Sequence, residues 1–586
     1  MSKWNLNVFY ESDEAWEKDF ELFKSRIDTF ETFKGKLGDF DTFKAYHVFD
    51  EETTNLLYKL YPYASLSSDL NLKNTENMSR KQKLLLALNE LSSKTSYIAP
   101  EILSLGEAKV FDFLEKDELL KPYKFPYEKL FRNQSHVLSE DKEKLLSNFG
   151  VIRSIPTNLY QSLAVIDRQD EKVTLSDGKE VLVTQAQFRA LLEEAKTAQD
   201  RELIFKTLYK RYAENKSAFA NTYNLVLQQL SAHCKNRNYE SALDAALFGN
   251  NIPTSVYTNL MEVAYENTEP LKRYIEIRKK ALGLKEYHTY DRFIPLAKSD
   301  KKYPYEEAKQ LFLESIASFP EEFKKNQYRA VEDGFVDAYP QDGKRTGAYS
   351  SSFYGHHPFI LLNHNDTLDS VFTLAHEAGH SAHSIFSDEA QPMAISDYTI
   401  FVAEIASTFN EHALLDHLVK KAKTKEEKIV LLTTAIDNIH STFYRQTLFA
   451  TYEYEANKLV QEGKPINDQA LSQIMIDLYQ HYYGLDITKE PGKQYVWAYI
   501  PHLFQTPFYV YQYATSFSAS LKIYDNVKNN QKDAFDNYIK MLKLGGSMYP
   551  VDQAKVAGAD LTNKDTFLAV VKRMNELLDQ LEDVLK

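Results

Sequence analysis

Along most of this chain the apolar positions recur every three or four residues. Trp16, Phe20, Phe23, Ile27 and Phe30 do so near the start, Phe219, Tyr223, Val226 and Leu230 in the middle, and Val571, Met574, Leu578, Leu581 and Leu585 near the end. A period of 3.6 lines such residues along one helix face, so these stretches predict amphipathic helices burying an aromatic stripe. Period-two patterning is rare. "KVTLSDGKEVLV" sets Val173 and Leu175 against Val181 and Val183 across Asp177-Gly178, which predicts a β-hairpin. "PFILLNHN", residues 358–365, predicts a short edge strand ahead of a histidine-rich helix. The pattern as a whole predicts a mainly α fold with a small β element of hairpin and edge strand. The change from hairpin to long helices near residue 200 suggests domains at 1–200 and 201–586.

Composition narrows the function classes. The 586 residues are 43% hydrophobic and 26% charged, as in an ordinary globular protein. No run approaches 18 consecutive apolar residues, so no membrane span is expected. The opening "MSKWNLNVFYESDEAWEKDF" lacks the apolar core and cleavage site of a secretory leader. Cys234 is the single cysteine, which excludes an intrachain disulfide, suits a reducing compartment and reads as a small buried hydrophobe. A net charge of −13 argues against nucleic acid as a partner. These features suit a cytoplasmic protein acting on small molecules or peptides.

The chemistry concentrates in "TLAHEAGHSAHSIF", residues 373–386. The apolar spacing predicts a helix over 367–386, capped by Asp366 or Thr367. On it His376 and His380, four apart, aim two imidazoles at one point, with Glu377 beside them. This H-E-x-x-H arrangement binds zinc through the imidazoles and lets the carboxylate polarise a water. With 15 His and 83 acidic residues, chance gives about 0.05 such patterns in a chain of this length. His383 shares the face, but seven residues of helix rise about 10.5 Å, too far to share one zinc with His376. It reads as a residue behind the site. In "FVAEIASTFNE", Glu404 interrupts an apolar run, where a carboxylate is costly unless paired or bound to metal. It therefore fits a third ligand from a neighbouring helix, the alternative being an exposed helical glutamate. Glu411, two turns on, could hydrogen-bond a ligand.

"VFTLAHEAGHSAH" followed by "FVAEIASTFNE" resembles the thimet oligopeptidase-like zinc metallopeptidases, the oligoendopeptidase F group in particular. "KWNLNVFY", "KRTGAYSSSFYGHHPFILLN" and "LKLGGSMYPVDQAKVAGADLT" extend the resemblance along essentially the whole chain. It implies one Zn2+ per chain, held by His376, His380 and Glu404, with Glu404 at the family's distance past the second histidine. It implies a large helical body enclosing a deep substrate channel, with the β element near the zinc, and makes 201–586 the catalytic domain. The activity implied is cleavage of internal bonds in short oligopeptides, with Glu377 activating water. In "YIPHLFQTPFYVYQYATS" the resemblance makes His502 an oxyanion donor. The family's tyrosine spacing puts one tyrosine near Thr506 here, which leaves Tyr509 and Tyr513 as candidates beside the plainer reading of a packing helix. "SSFYGHHPFILLNHN" suggests a strand for substrate pairing, with His356 and His357 either touching substrate or sitting in an ordinary loop. The rival readings are a peptidyl-dipeptidase and a catalytically idle peptide-binding module. The sequence leaves the oligomeric state open.

Overall fold

In the computed structural model, which describes residues 3–586, helices dominate and the described strands form two small sheets. The elements that matter below are, in chain order, helices α1 (Asp13–Ile27) and α2 (Phe40–Leu70), strands β1 (Glu171–Thr174) and β2 (Glu180–Val183), and helix α3 (Lys216–Arg237). Strands β3 (Val336–Asp337), β4 (Tyr349–Ser351) and β5 (Phe359–Leu361) follow. Helices α4 (Leu368–Ala390), α5 (Ile400–Lys421), α6 (Arg445–Gln461) and α7 (Lys564–Leu585) complete the set.

The chain divides into two compact units, each assembled from three stretches. The first comprises residues 1–135, 301–418 and 523–559; the second comprises 136–300, 419–522 and 560–586. Residue 200, where the sequence pattern changes, lies inside the second unit.

In the first unit the expected stripe of α1 is the core. Ser12 caps the helix by accepting from the Ala15 N–H, and Trp16, Phe20, Phe23 and Ile27 are buried. Trp16 stacks on Phe20 with centroids 5.0 Å apart and donates its indole N–H to the Leu60 carbonyl of α2. The helix ends at Ile27, so Phe30 is buried from a 3-10 turn instead. The same cluster reaches the three-stranded sheet: Trp4 donates to the Ile360 carbonyl at 2.9 Å, and Phe9, Phe353 and Phe359 pack beside it.

The sheet order is β3-β5-β4, with β5 parallel to β3 and antiparallel to β4. The strand expected at 358–365 is therefore present but shorter and central, not an edge. Its three residues are fully buried, and Ile360 and Leu361 are paired on both sides. A continuous apolar run is what two-sided burial selects. The edge role passes to β4, whose "YSS" carries no such signal.

In the second unit the predicted hairpin forms with Val173 opposite Val181 and Gly178 at positive φ in the turn. Phe219, Tyr223 and Val226 of α3 are buried, Tyr223 stacking on Tyr452 of α6. Val571, Met574, Leu578 and Leu581 form the buried face of α7. Cys234 is buried, and burial pushes its thiol pKa up, which leaves it a packing residue. No described helix is long and apolar enough to cross a membrane.

Candidate metal centre

Two helices of the first unit build this site. Thr367 caps α4 by accepting from the Ser370 N–H, and the helix continues one turn past the expected residue 386 to Ala390. Its buried face carries Val371, Leu374, Ala375, Ala378 and Ala382 against the unit's interior. Helix α5 crosses that face very closely, and Gly379 permits it. A Cβ at position 379 would lie 2.6 Å from both the Ala406 carbonyl oxygen and the Ser407 Cα. Asn410 of α5 adds a hydrogen bond to the Ala375 carbonyl at 3.0 Å. The glycine inside H-E-x-x-H is therefore a packing requirement, and the approach it allows brings Glu404 opposite the two histidines.

The three side chains converge. The His376 and His380 Nε2 atoms are 3.2 Å apart, and Glu404 Oε2 lies 3.3 Å from the first and 3.7 Å from the second. Tetrahedral zinc with bonds of about 2.0–2.1 Å places its ligand atoms about 3.3–3.4 Å apart. Two imidazole nitrogens facing each other with a carboxylate oxygen beside them thus fit a divalent cation, and the donor types are those zinc takes. On its other side His376 Nδ1 meets Glu411 Oε1 at 2.6 Å, so this nitrogen donates and Nε2 is left for a cation. His380 bonds the Ala403 backbone, and Ser407 donates to Glu404 at 3.0 Å.

The electrostatics follow from that crowding. Burial alone would push the His376 imidazole down, but its bonds to Glu404 and Glu411 raise its pKa well above the usual value. His380 is pushed down to about 4 by burial and by His376. Burial acts to raise Glu404, yet the two histidines and Ser407 hold it at about 2. Glu377 is 7% exposed, and burial pushes it up to about 7, with Glu404 and Glu411 adding and His376 opposing. Its carboxylate accepts from the Ser350 backbone of β4, which fixes the edge strand beside it. A bound dication would favour the charged form of each of these carboxyls.

His383 lies behind the site, 1% exposed and stacked on Tyr398 at 3.6 Å. Tyr398 in turn donates to the His380 carbonyl at 3.3 Å. His356 and His357 are packing residues: the first lies 5.1 Å from the Phe9 ring, and the second stacks on Phe335 and bonds the Arg329 and Pro358 carbonyls. Ser350, Ser407 and Tyr398 escaped sequence reasoning. Ser407 and Ser350 lie in the quoted motifs without drawing notice as residues, and only the run of small residues in "GAYSSSFYG" hinted that backbone was approaching something closely.

The second constellation is gathered within the other unit. His502 sits on the short helix Pro501–Gln505, with Tyr513 Oη 3.4 Å from its Nε2 and Tyr509 nearly parallel to it at 6.1 Å. The turn between them is unusual: Phe508 has φ +57° and donates its N–H to the buried Glu453 of α6 at 2.7 Å. Burial pushes the Glu453 carboxyl up to about 8. Burial also pushes the His502 imidazole down.

The signature of peptidase family M3 matches residues 191–573, and that described as Oligopeptidase F matches residues 101–169. The chain is 36% identical over 590 residues to oligopeptidase PepF of Bacillus subtilis, covering 99% of this chain and 87% of that protein. It is 32% identical to an oligoendopeptidase F homolog of Lactococcus lactis, covering 100% of this chain and 97% of that protein. A solved structure of oligoendopeptidase-F from Enterococcus faecium superposes with a TM-score of 0.74 at 28% identity, covering 98% of this chain and 99% of that one. A solved structure from Chlamydophila abortus superposes with a TM-score of 0.91 at 32% identity, covering 100% and 98%.

Proposed function

This chain belongs to peptidase family M3, and on that premise we propose that it is a zinc-dependent endopeptidase cutting internal bonds of short oligopeptides. The observation that carries the reading is the convergence of His376 Nε2, His380 Nε2 and Glu404 Oε2, with Glu377 buried beside them. Those three residues would hold the metal. When bound, zinc supplies Lewis acidity, polarising a carbonyl and acidifying water.

The remaining steps belong to the chain. Glu377 takes the proton of the attacking water and returns it to the leaving amine. Its bond to the Ser350 backbone sets the direction of the carboxylate, and a bound dication would keep it charged and able to accept that proton. Glu411 keeps His376 in the tautomer that leaves Nε2 free. β4, as an edge strand, offers backbone groups to an extended peptide. His502 donates to the oxyanion, with Tyr509 or Tyr513 as the second donor. The relatives' names, oligopeptidase and oligoendopeptidase F, support the peptide substrate. A cytoplasmic setting fits the lone buried cysteine.

The test is digestion of one peptide extended stepwise at either end, read by mass spectrometry with and without a chelator. Internal cuts that vanish with chelator and return with zinc are expected. A strict series of C-terminal dipeptides would make it a peptidyl-dipeptidase, and no cleavage of any peptide would reduce it to a binding module.

A further inference from the structure

A cavity of about 220 Å³ lies wholly within the second unit. Its wall carries four basic side chains, Arg189, Arg292, Arg445 and Lys493, and one carboxylate, Asp437. Lys493 is 7% exposed; its ammonium is 3.4 Å from the Tyr209 hydroxyl and faces the rings of Tyr209 and Tyr479, both at 5.2 Å. Arg292 lies over Phe293 at 4.7 Å and reaches His440 Nδ1 at 3.5 Å, and Arg445 covers Phe449 at 5.3 Å. Among the described residues none of Arg292, Arg445 and Lys493 is in an ion pair. Two carboxyls lie nearby, Asp437 acting on Arg292 and Glu490 on Lys493, and both also accept hydrogen bonds. Asp437 accepts from Tyr274 at 3.1 Å, and Glu490 accepts from the Thr289 N–H and hydroxyl. Burial pushes both carboxyls up, against the pull of Arg278 and Arg292 on Asp437 and of Lys493 on Glu490.

Cations that outnumber the carboxylates around a partly enclosed cavity are costly unless an anion joins them. His440 registers the surplus: burial, then Arg292, Arg445, Arg278 and Lys493, push its imidazole well below the usual value. The size and walls say what kind of anion. A cavity of about 150 Å³ takes up benzene, so this one has room for a ring and a carboxylate on a short arm. Around the cations the wall is aromatic, with Phe205, Tyr209, Tyr290, Tyr479 and Tyr483. An inorganic ion would leave that apolar surface empty.

We propose that this cavity binds a small aromatic carboxylate, its oxygens received by Arg292, Arg445 and Lys493 and its ring packed among Tyr209, Tyr290 and Tyr479. The carboxylate can be that of a free acid or the C-terminus of a short peptide ending in an aromatic residue. The site stands apart from the metal reading, since none of its residues belongs to the histidine cluster or its unit.

The test is calorimetric titration of the full chain with 3-phenylpropionate, its neutral amide, inorganic phosphate, and acetyl-Gly-Phe as acid and as amide. One 3-phenylpropionate should bind per chain, at least about 10-fold tighter than its amide, as loss of a charge-assisted bond implies. Lys493→Met and Arg445→Met should each weaken it about 10- to 100-fold and abolish the rise in Tm that the acid gives the wild type. Binding of acetyl-Gly-Phe acid but not its amide would assign the site to peptide C-termini; failure of both peptides beside binding of 3-phenylpropionate would assign it to free acids. The proposal falls if acid and amide bind alike, if nothing saturates, if phosphate binds in preference, or if folded variants bind unchanged. Should both variants unfold, the acid–amide contrast on the wild type decides.

Discussion

In the first unit Glu404 is held at about 2, because two imidazoles and a hydroxyl outweigh the cost of burial. In the second, Glu453 is 1% exposed among aromatic rings and is pushed up to about 8, because no cation compensates it. The first carboxyl is held in its charged form beside imidazoles that could hold a metal ion with it. The second is pushed toward its neutral form by burial and spends its oxygen on one backbone N–H, holding the left-handed turn at Phe508. Burial and the neighbouring donor both separate them: Glu404 is a third exposed and faces imidazoles, whereas Glu453 is buried and meets a peptide N–H.

The contrast can be broken most severely at Glu404. Glu404→Ala should lose both metal and activity, since two imidazoles alone make a poor zinc site. A zinc stoichiometry near one after dialysis against a mild chelator would instead point to Glu411 as the third ligand. Glu377→Gln comes next: it removes the proton acceptor and spares the ligands, so turnover should fall about 10²- to 10⁴-fold with metal content unchanged. Near wild-type turnover in that variant would end the water-activation mechanism. On the other side of the comparison, His502→Ala should lower kcat about 10²- to 10³-fold with little change in KM. A pure KM effect would reassign His502 to substrate binding.

The smallest effect is expected at Glu453 itself. Its folded pKa of about 8 lies above the ordinary 4.5, so between those values the unfolded chain sheds a proton that the folded chain keeps. Its contribution to stability is full below 4.5 and is lost as pH rises to about 8. Glu453→Gln keeps an acceptor for Phe508 and carries no charge. Its Tm advantage over the wild type should grow across that window and level off above it. Parallel Tm-versus-pH curves for the two proteins would mean that Glu453 is already ionised.

Much of the fold, and the residues that converge at the candidate metal centre, could be read without coordinates. The buried stripes of α1, α3 and α7 and the Val173–Val181 hairpin follow from local periodicity, which a single sequence displays in full. So do His376, Glu377 and His380, since one helix presents them together. Glu404 was visible because a charge inside "FVAEIA" demands a reason. What escaped depends on long-range placement. The apolar run of β5 fits a strand covered on both faces, but that β3 lies alongside it is a long-range fact its own residues do not name. The Ser350 bond to Glu377 uses backbone, which every residue has. The cationic cavity gathers Arg292, Arg445 and Lys493 from separate segments, and no local pattern joins them.

The threefold segmentation of each unit carries a consequence for synthesis. The first unit lacks its last stretch until residue 559 has been made, and the second until residues 560–586 follow. At about 5–20 residues per second, the ribosome takes roughly half a minute to two minutes to reach that point. Throughout that time each unit still lacks a stretch of its own chain, so aromatic faces within each wait for late residues. Production of this protein should therefore depend on chaperone capacity more than that of an equally long chain whose domains emerge one after another.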